Sequence, residues 1–455
     1  MTSKTRLTAS LSAAAIAFVV GARADAPIAY AVRGARIVTA AGAPIQNGTI
    51  VLRNGLIEAV GADVQAPADA VVIDGSGMTV YPGLIDMGNS NGMDVQANPT
   101  PPGNFATTED QERWKRSVIF RPDVAAADHL NPGAPELARL AAAGVTTVLA
   151  TPPGSLVRGQ SALVNIAAPP DDPQIGAVAD PRKGLQVVRT PVALHVNLGA
   201  SGGRGGYPAS LMGSIAFVRQ HFIDAQHQQA ARQHYERAKA GTARPIYDAS
   251  LDALQPALAR RLPVAFEAGE AREILRALTM AKEFNLDPVI TGASEADQVT
   301  ADLKAQNARV VYNLNYQVRS RALPPDADEP IRVLRARAQA PKVPAALEKA
   351  GILYAFSADG IREPRDFVRN AARAVKEGLA ADAAVRALTI NAARIAGADE
   401  RLGSLERGKI ANVIVTEGDL FEEKTRVRHV FVDGFKVNIE ETPAQGGRGR
   451  GRGGN

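Results

Sequence analysis

YPGLIDMGNSNG, Tyr81–Gly92, decides what this chain can be. Its first half belongs to an apolar strand reading from Thr79 to Asp86, interrupted by a Pro-Gly pair that stops regular pairing. Its second half places Gly88, Asn89, Ser90 and Asn91 just beyond Asp86, and none of them is a strong metal ligand.

Around that stretch lies a chain of 455 residues, 45% hydrophobic and 22% charged, long enough for one large domain plus a smaller one. Disorder of the whole chain is excluded. The net charge of +5 sits at the ends: Lys4, Arg6 and Arg23 lie at the start, Arg448, Arg450 and Arg452 in the last dozen residues, and neither end holds an acid. Setting those six cations aside leaves −1 for the body, so a basic face for nucleic acid is not indicated.

Residues 1–24 have a short basic start, an apolar run from Leu7 to Val20 and an A-x-A arrangement at Ala22 and Ala24, the pattern of a cleaved secretory signal. Cleavage is expected after Ala24 or Ala26. The run is shorter than the ~20 residues a bilayer span requires, so no membrane anchor is expected. Without cysteine there is no disulfide and no lipid-bearing thiol, and the expected product is a soluble protein exported to a bacterial periplasm. Residues 441–455 are a Gly/Arg tail with nothing apolar to bury; disorder is expected there, with contact to an anionic surface favoured over RNA.

Between the ends, two β-rich segments flank a longer one. Residues 25–78 give short β-branched runs separated by Asn47-Gly48, Asn54-Gly55 and Gly75-Ser76-Gly77, which read as hairpin turns of a small antiparallel sheet. Residues 401–440 repeat that style, with the turn Asp433-Gly434. Neither segment has enough strands for a covered sheet, so both are expected to join in one β-sandwich. Residues 79–400 alternate strand and helix, as in LARLAAAG before VTTVLATPP and PAALEKAG before ILYAFSADG. The expected fold class is therefore α/β: a (β/α)8 TIM-like barrel, with a β-sandwich assembled from both chain ends. The barrel strands are expected at 79–86, 145–150, 162–166, 192–198, 263–268, 288–291, 309–313 and 352–357, with the functional site at their C-terminal ends.

At this point the chain resembles the amidohydrolase superfamily, especially its imidazolonepropionase-like and prolidase-like members. The resemblance covers nearly the whole mature chain and rests on YPGLID, GVTTVLATPPGSLVRGQSALV, YPASLMGSIAFVRQHFIDAQ, LPVAFEAGEAREILRALTMAKEF and LTINAARIAGADERLGSLERGKIANVIV. It implies hydrolysis of C–N bonds and a PGLIDxHxH motif whose two histidines hold a divalent ion. Here those two positions are Gly88 and Ser90. By the same resemblance, the strand-five histidine position is Glu267 in FEAGE and the strand-six position is Gly292 in ITGA. The aspartate that the resemblance makes a ligand and general base is kept, as Asp359 in FSADG.

The expectation is a degenerate metal site and no resident cofactor, in a protein that binds a small-molecule ligand, or pairs with an intact relative or with its own copies. The alternative is an active hydrolase around Asp359. A rebuilt site would draw on His195, Glu267 and Asp359, enough in number for one divalent ion such as zinc. Otherwise His195 is a buried histidine and the two carboxylates pair with Arg204 or Arg362. Arg204, in GASGGRGGYPAS, and Asn313 and Asn315, with Tyr316, are further candidates for the pocket. PPGSLVRGQSA, Pro152–Ala162, is expected to shape the pocket rather than react.

The remaining histidines carry no site. His227 and His234 are ~10.5 Å apart along one helix and cannot share an ion, while His221 is turned about 120° from His227. His129 and His429 read as loop and sandwich residues. The apolar face of that helix is expected at Leu211, Ile215, Val218, Phe222 and Ala225.

Overall fold

The computed structural model describes residues 29–439 apart from 91, 97–99, 102, 132, 168–177, 180–183, 200–206 and 325. The signal pattern, the Gly/Arg tail and Arg204 lie outside the described residues. Among the described residues the chain opens with β1 (Ala29–Ile37), β2 (Ile45–Arg53), β3 (Leu56–Gly61), β4 (Ala70–Asp74) and β5 (Met78–Pro82). It continues with β6 (Leu84–Asn89), β7 (Val145–Ala150), β8 (Val157–Gln160), β9 (Ala162–Asn165), β10 (Val178–Ala179) and β11 (Gln186–Arg189). Then come β12 (Leu194–Asn197), β13 (Val264–Ala268), β14 (Pro288–Gly292), β15 (Arg309–Asn313) and β16 (Tyr354–Ser357), and it closes with β17 (Val413–Glu417), β18 (Arg426–Val432) and β19 (Phe435–Val437).

Both chain ends share one nine-stranded sheet, ordered β10-β19-β18-β17-β5-β1-β2-β3, with β4 also on β1. The seam is β5, which pairs β1 through Val80 opposite Ile37 and β17 through Val80 opposite Val415. The two ends are thus one continuous hydrogen-bonded sheet carrying its own apolar core, including Val32, Ile50, Val80, Val413 and Phe431. Asn54-Gly55 and Asp433-Gly434 are the expected tight turns, with φ of +54°, +79°, +50° and +78°.

Asn47-Gly48 is not a turn. It lies inside β2 as a bulge, between the pairs Ala35–Gly48 and Ile37–Ile45, where the positive φ of Asn47 absorbs the extra length. Nor is the segment purely antiparallel, because β4 and β5 both run parallel to β1. Gly75 donates to the Arg33 carbonyl, and the chain runs on along the same edge of β1 from β4 to β5 instead of folding back.

The middle of the chain is a mixed α/β structure with two sheets, β11-β9-β7-β6 and β16-β15-β14-β13-β12-β8. Strands β12 to β16 are parallel, as are β6 and β7. The expected run of eight parallel strands is broken at 162–166: β9 is antiparallel to β7, β11 to β9, and β8 to β12. Only Ser161 separates β8 from β9, and the two enter different sheets, β8 against β12 and β9 against β7. Alternate residues of both sheets nevertheless share one apolar cluster, among them Met87, Leu149, Leu163, Ala265, Val289, Val311 and Ala355.

The expected first strand divides at Gly83 into β5 and β6. A Cβ on Gly83 would stand 2.1 Å from the Thr146 hydroxyl, so only glycine lets the chain pass from one sheet to the other here. The same junction carries a buried polar network: Asn412 donates to Thr147 Oγ1 at 3.0 Å and to Asn165 Oδ1 at 2.8 Å, and Asn165 donates to Asp433 at 2.9 Å. Satisfied buried amides of this kind fix the relative register of the segments they join.

In the helix Leu211–Arg237 the buried face is Ser214, Phe217, Val218, His221, Phe222, Ala225 and Gln228. Leu211 is exposed, so the expected face is rotated and takes in His221. That imidazole is a core residue, with Nδ1 at 2.7 Å from the Phe217 carbonyl and its ring against Phe120 and Phe217.

Candidate functional site at the strand ends

Asp86 is fully buried at the base of the site. Its Oδ1 accepts from the backbone N–H of Ala358 at 2.7 Å and of Gly88 at 3.2 Å, and Oδ2 accepts from the Asn89 amide at 2.8 Å. Strands β6 and β16 share no ladder. The Asp86 carboxylate therefore does the joining that backbone bonds do elsewhere. Burial pushes its pKa up from 3.8 to about 6 against the opposing effect of these donors.

That bridge brings two of the sequence candidates together. A Cβ on Gly88 would lie 3.3 Å from Ser357 Cβ and Oγ and 3.8 Å from Asp359 Cβ. Gly88 therefore faces the end of β16, as the resemblance implies for a ligand position, but offers no atom to bind anything. Ser90 is exposed just past the end of β6. Gly292 ends β14 with φ of +88°, and the atoms nearest to a Cβ there are backbone of Ala268 and Gly269.

Glu267 is not a free ligand. Its carboxylate forms an ion pair with the guanidinium of Arg158, and the Arg158 side chain is 17% exposed while that of Glu267 is 45% exposed. The partner is Arg158, where Arg204 or Arg362 was expected; Arg204 lies outside the described residues. Burial draws the Arg158 pKa down and the nearby Asp359 charge opposes that, yet a guanidinium remains protonated throughout the working range.

Asp359 is exposed, and among the described residues its carboxylate makes no ion pair. It is therefore a rim group, not the buried base of a pocket. Its backbone is held by Asn313, whose side-chain amide donates to the Asp359 carbonyl at 3.1 Å, and Asn313 Oδ1 accepts from Asn315 N at 2.8 Å. Asn315 packs on Gly360, where a Cβ would stand 2.6 Å from its amide nitrogen. These two asparagines shape the loop after β15, and Tyr316, which follows them, is buried.

His195 lies on β12 opposite Gly159 and Ala265, and is 5% exposed. Burial, with the Arg158 charge nearby, lowers its pKa from 6.5 to about 3, so the imidazole is neutral. Among the described residues its Nε2 has no hydrogen-bond partner.

The divalent ion implied by the resemblance does not fit these residues. Two of the four substituted positions are glycines, the serine is in solvent, and Glu267 is already bound to a cation. Among the described residues no three His, Cys, Asp or Glu side chains converge as metal ligands. Arg158 is the residue that sequence reasoning missed as a participant. Its signal is the alternation in VRGQ, where Arg158 and Gln160 alternate with buried Val157 and Gly159.

The architecture is a composite sheet from both chain ends joined to a mixed α/β unit, with polar groups gathered at its strand ends. The amidohydrolase family pattern matches residues 209–446, and the chain belongs to that family. An amidohydrolase from Thermotoga maritima MSB8 is similar at 25% identity, over 90% of this chain and 99% of that one, with a TM-score of 0.72. A prolidase solved with N-methylphosphonate-L-proline shares the fold at 19% identity and a TM-score of 0.54, over 90% of this chain and 99% of that one. No curated protein matches the chain.

Proposed function

We propose that this chain is an amidohydrolase-fold protein that binds a small molecule at the strand ends without hydrolysing it. The observation that carries the reading is the Arg158–Glu267 ion pair, which puts a fixed organic cation on a position where the resemblance implies a metal ligand. A guanidinium donates hydrogen bonds but has no open coordination position from which to lower the pKa of water. Glu267 is thereby withdrawn from ligation, and Asp359 stands without the ion that would give it a role as ligand.

In this reading the two middle sheets are the halves of a (β/α)8-type barrel distorted at β8, β9 and β11; the shared apolar cluster supports it. The proposed units are residues 25–78 with 401–440, and 79–400. The signal pattern of residues 1–24 supports export to a periplasm, where an intact relative or a second copy of the chain would be the partner.

The experiment is an assay of dipeptides and cyclic amides with zinc or manganese added. No turnover above the buffer rate is expected. Turnover that Asp359→Ala abolishes would overturn the reading and make Asp359 a general base.

A further inference from the structure

Two buried polar groups at the strand ends lack partners among the described residues: Arg158 Nε, which can only donate, and His195 Nε2. They belong to neighbouring backbone, since Arg158 precedes Gly159 and Gly159 pairs with His195 across β8 and β12. Glu267 reaches the same place from β13, where it pairs with Asn197. The pair is unequal: the arginine is 17% exposed and the glutamate 45%. The carboxylate has water to retreat into, and the guanidinium does not.

We propose that Arg158 is the receptor for the carboxylate of a small monocarboxylate ligand, and that Glu267 holds its place as an internal stand-in. This rests on the reading that the site binds without hydrolysing. The planar guanidinium fork matches a carboxylate in two parallel bonds, and the unpartnered Nε leaves one of its donors unused beside Glu267. Only the glutamate side is exposed, so an incoming carboxylate can take its place while the guanidinium stays paired. Asp359 and the released Glu267 disfavour a second negative charge, so the remainder of the ligand is neutral or carries an amine toward Asp359.

The test is calorimetric titration of the full chain with acetate, propionate and benzoate, with their primary amides, and with succinate. Monocarboxylates are expected to bind, with the amides at least about tenfold weaker and succinate weaker than propionate. Arg158→Met should abolish binding, and Arg158→Lys, which keeps the charge but not the fork, should weaken it; the lysine variant decides the matter if the methionine variant does not fold. Glu267→Gln should tighten binding by up to about fivefold, because it removes the competitor. Amides binding as well as acids, unchanged affinity in Arg158→Lys, or weaker binding in Glu267→Gln would overturn the inference. Turnover of dipeptides or cyclic amides would instead overturn the non-hydrolytic reading, whereas absent carboxylate binding in an inert protein would overturn this inference alone.

Discussion

Asp86→Ala is expected to destabilise the folded chain by about 3–5 kcal/mol at pH 5, measured by urea denaturation. The substitution strips an acceptor from the N–H groups of Ala358 and Gly88 and from the Asn89 amide, all at the join between β6 and β16. Buried donors left unmet cost far more than an average hydrogen bond contributes. The sign of the pH dependence follows from the raised pKa. Because the folded chain holds the Asp86 proton more tightly than the unfolded chain, this group's contribution is full below about pH 4 and is lost as pH rises through about 6. The deficit of Asp86→Ala should therefore shrink between pH 5 and pH 8. A loss under about 1 kcal/mol at pH 5 would contradict the bridging role.

Gly159→Ala should cost about 3 kcal/mol or more, and should loosen the site with the fold. Gly159 has φ of +122°, and a Cβ there would stand 2.3 Å from the Val124 carbonyl oxygen. That oxygen belongs to main chain and accepts from Gln160 N at 2.8 Å, so it cannot turn aside as a flexible side chain would. Relief requires β8 to move, which displaces Arg158 from Glu267 and Gly159 from His195. The denaturation midpoint reports the stability cost, and carboxylate titration reports the displacement of Arg158. A variant as stable as the parent would show that the close approach is easily relaxed.

How much of this was legible in the sequence depends on the range over which each feature is determined. The turns at Asn54-Gly55 and Asp433-Gly434 are set by two residues each, and they are where the sequence puts them. The parallel strands β12 to β16 follow from apolar runs separated by helices. The change of direction at β8 and β9 was hidden because both strands are four residues long, too short for any periodicity. Asn47-Gly48 carries the same local signal as a true turn; only the pairing of β1 with β2 makes it a bulge.

Within the site, the substitutions at Gly88, Ser90 and Gly292 are visible residue by residue, because what matters is a missing side chain. Arg158 is different in kind. Its partner is more than a hundred positions away, and the ion pair exists only because β8 runs antiparallel beside β12, with β13 on the other side. His195 reads equally well as ligand or core residue until its burial is known.

Elemental analysis of the purified protein, after exchange into metal-free buffer, tests the central claim most directly. With Arg158 bound to Glu267 and glycines at 88 and 292, zinc, manganese and iron should all be far below one ion per chain. One tightly held ion per chain, lost in both Glu267→Ala and Asp359→Ala, would contradict the account and make Glu267 a metal ligand instead of the partner of Arg158.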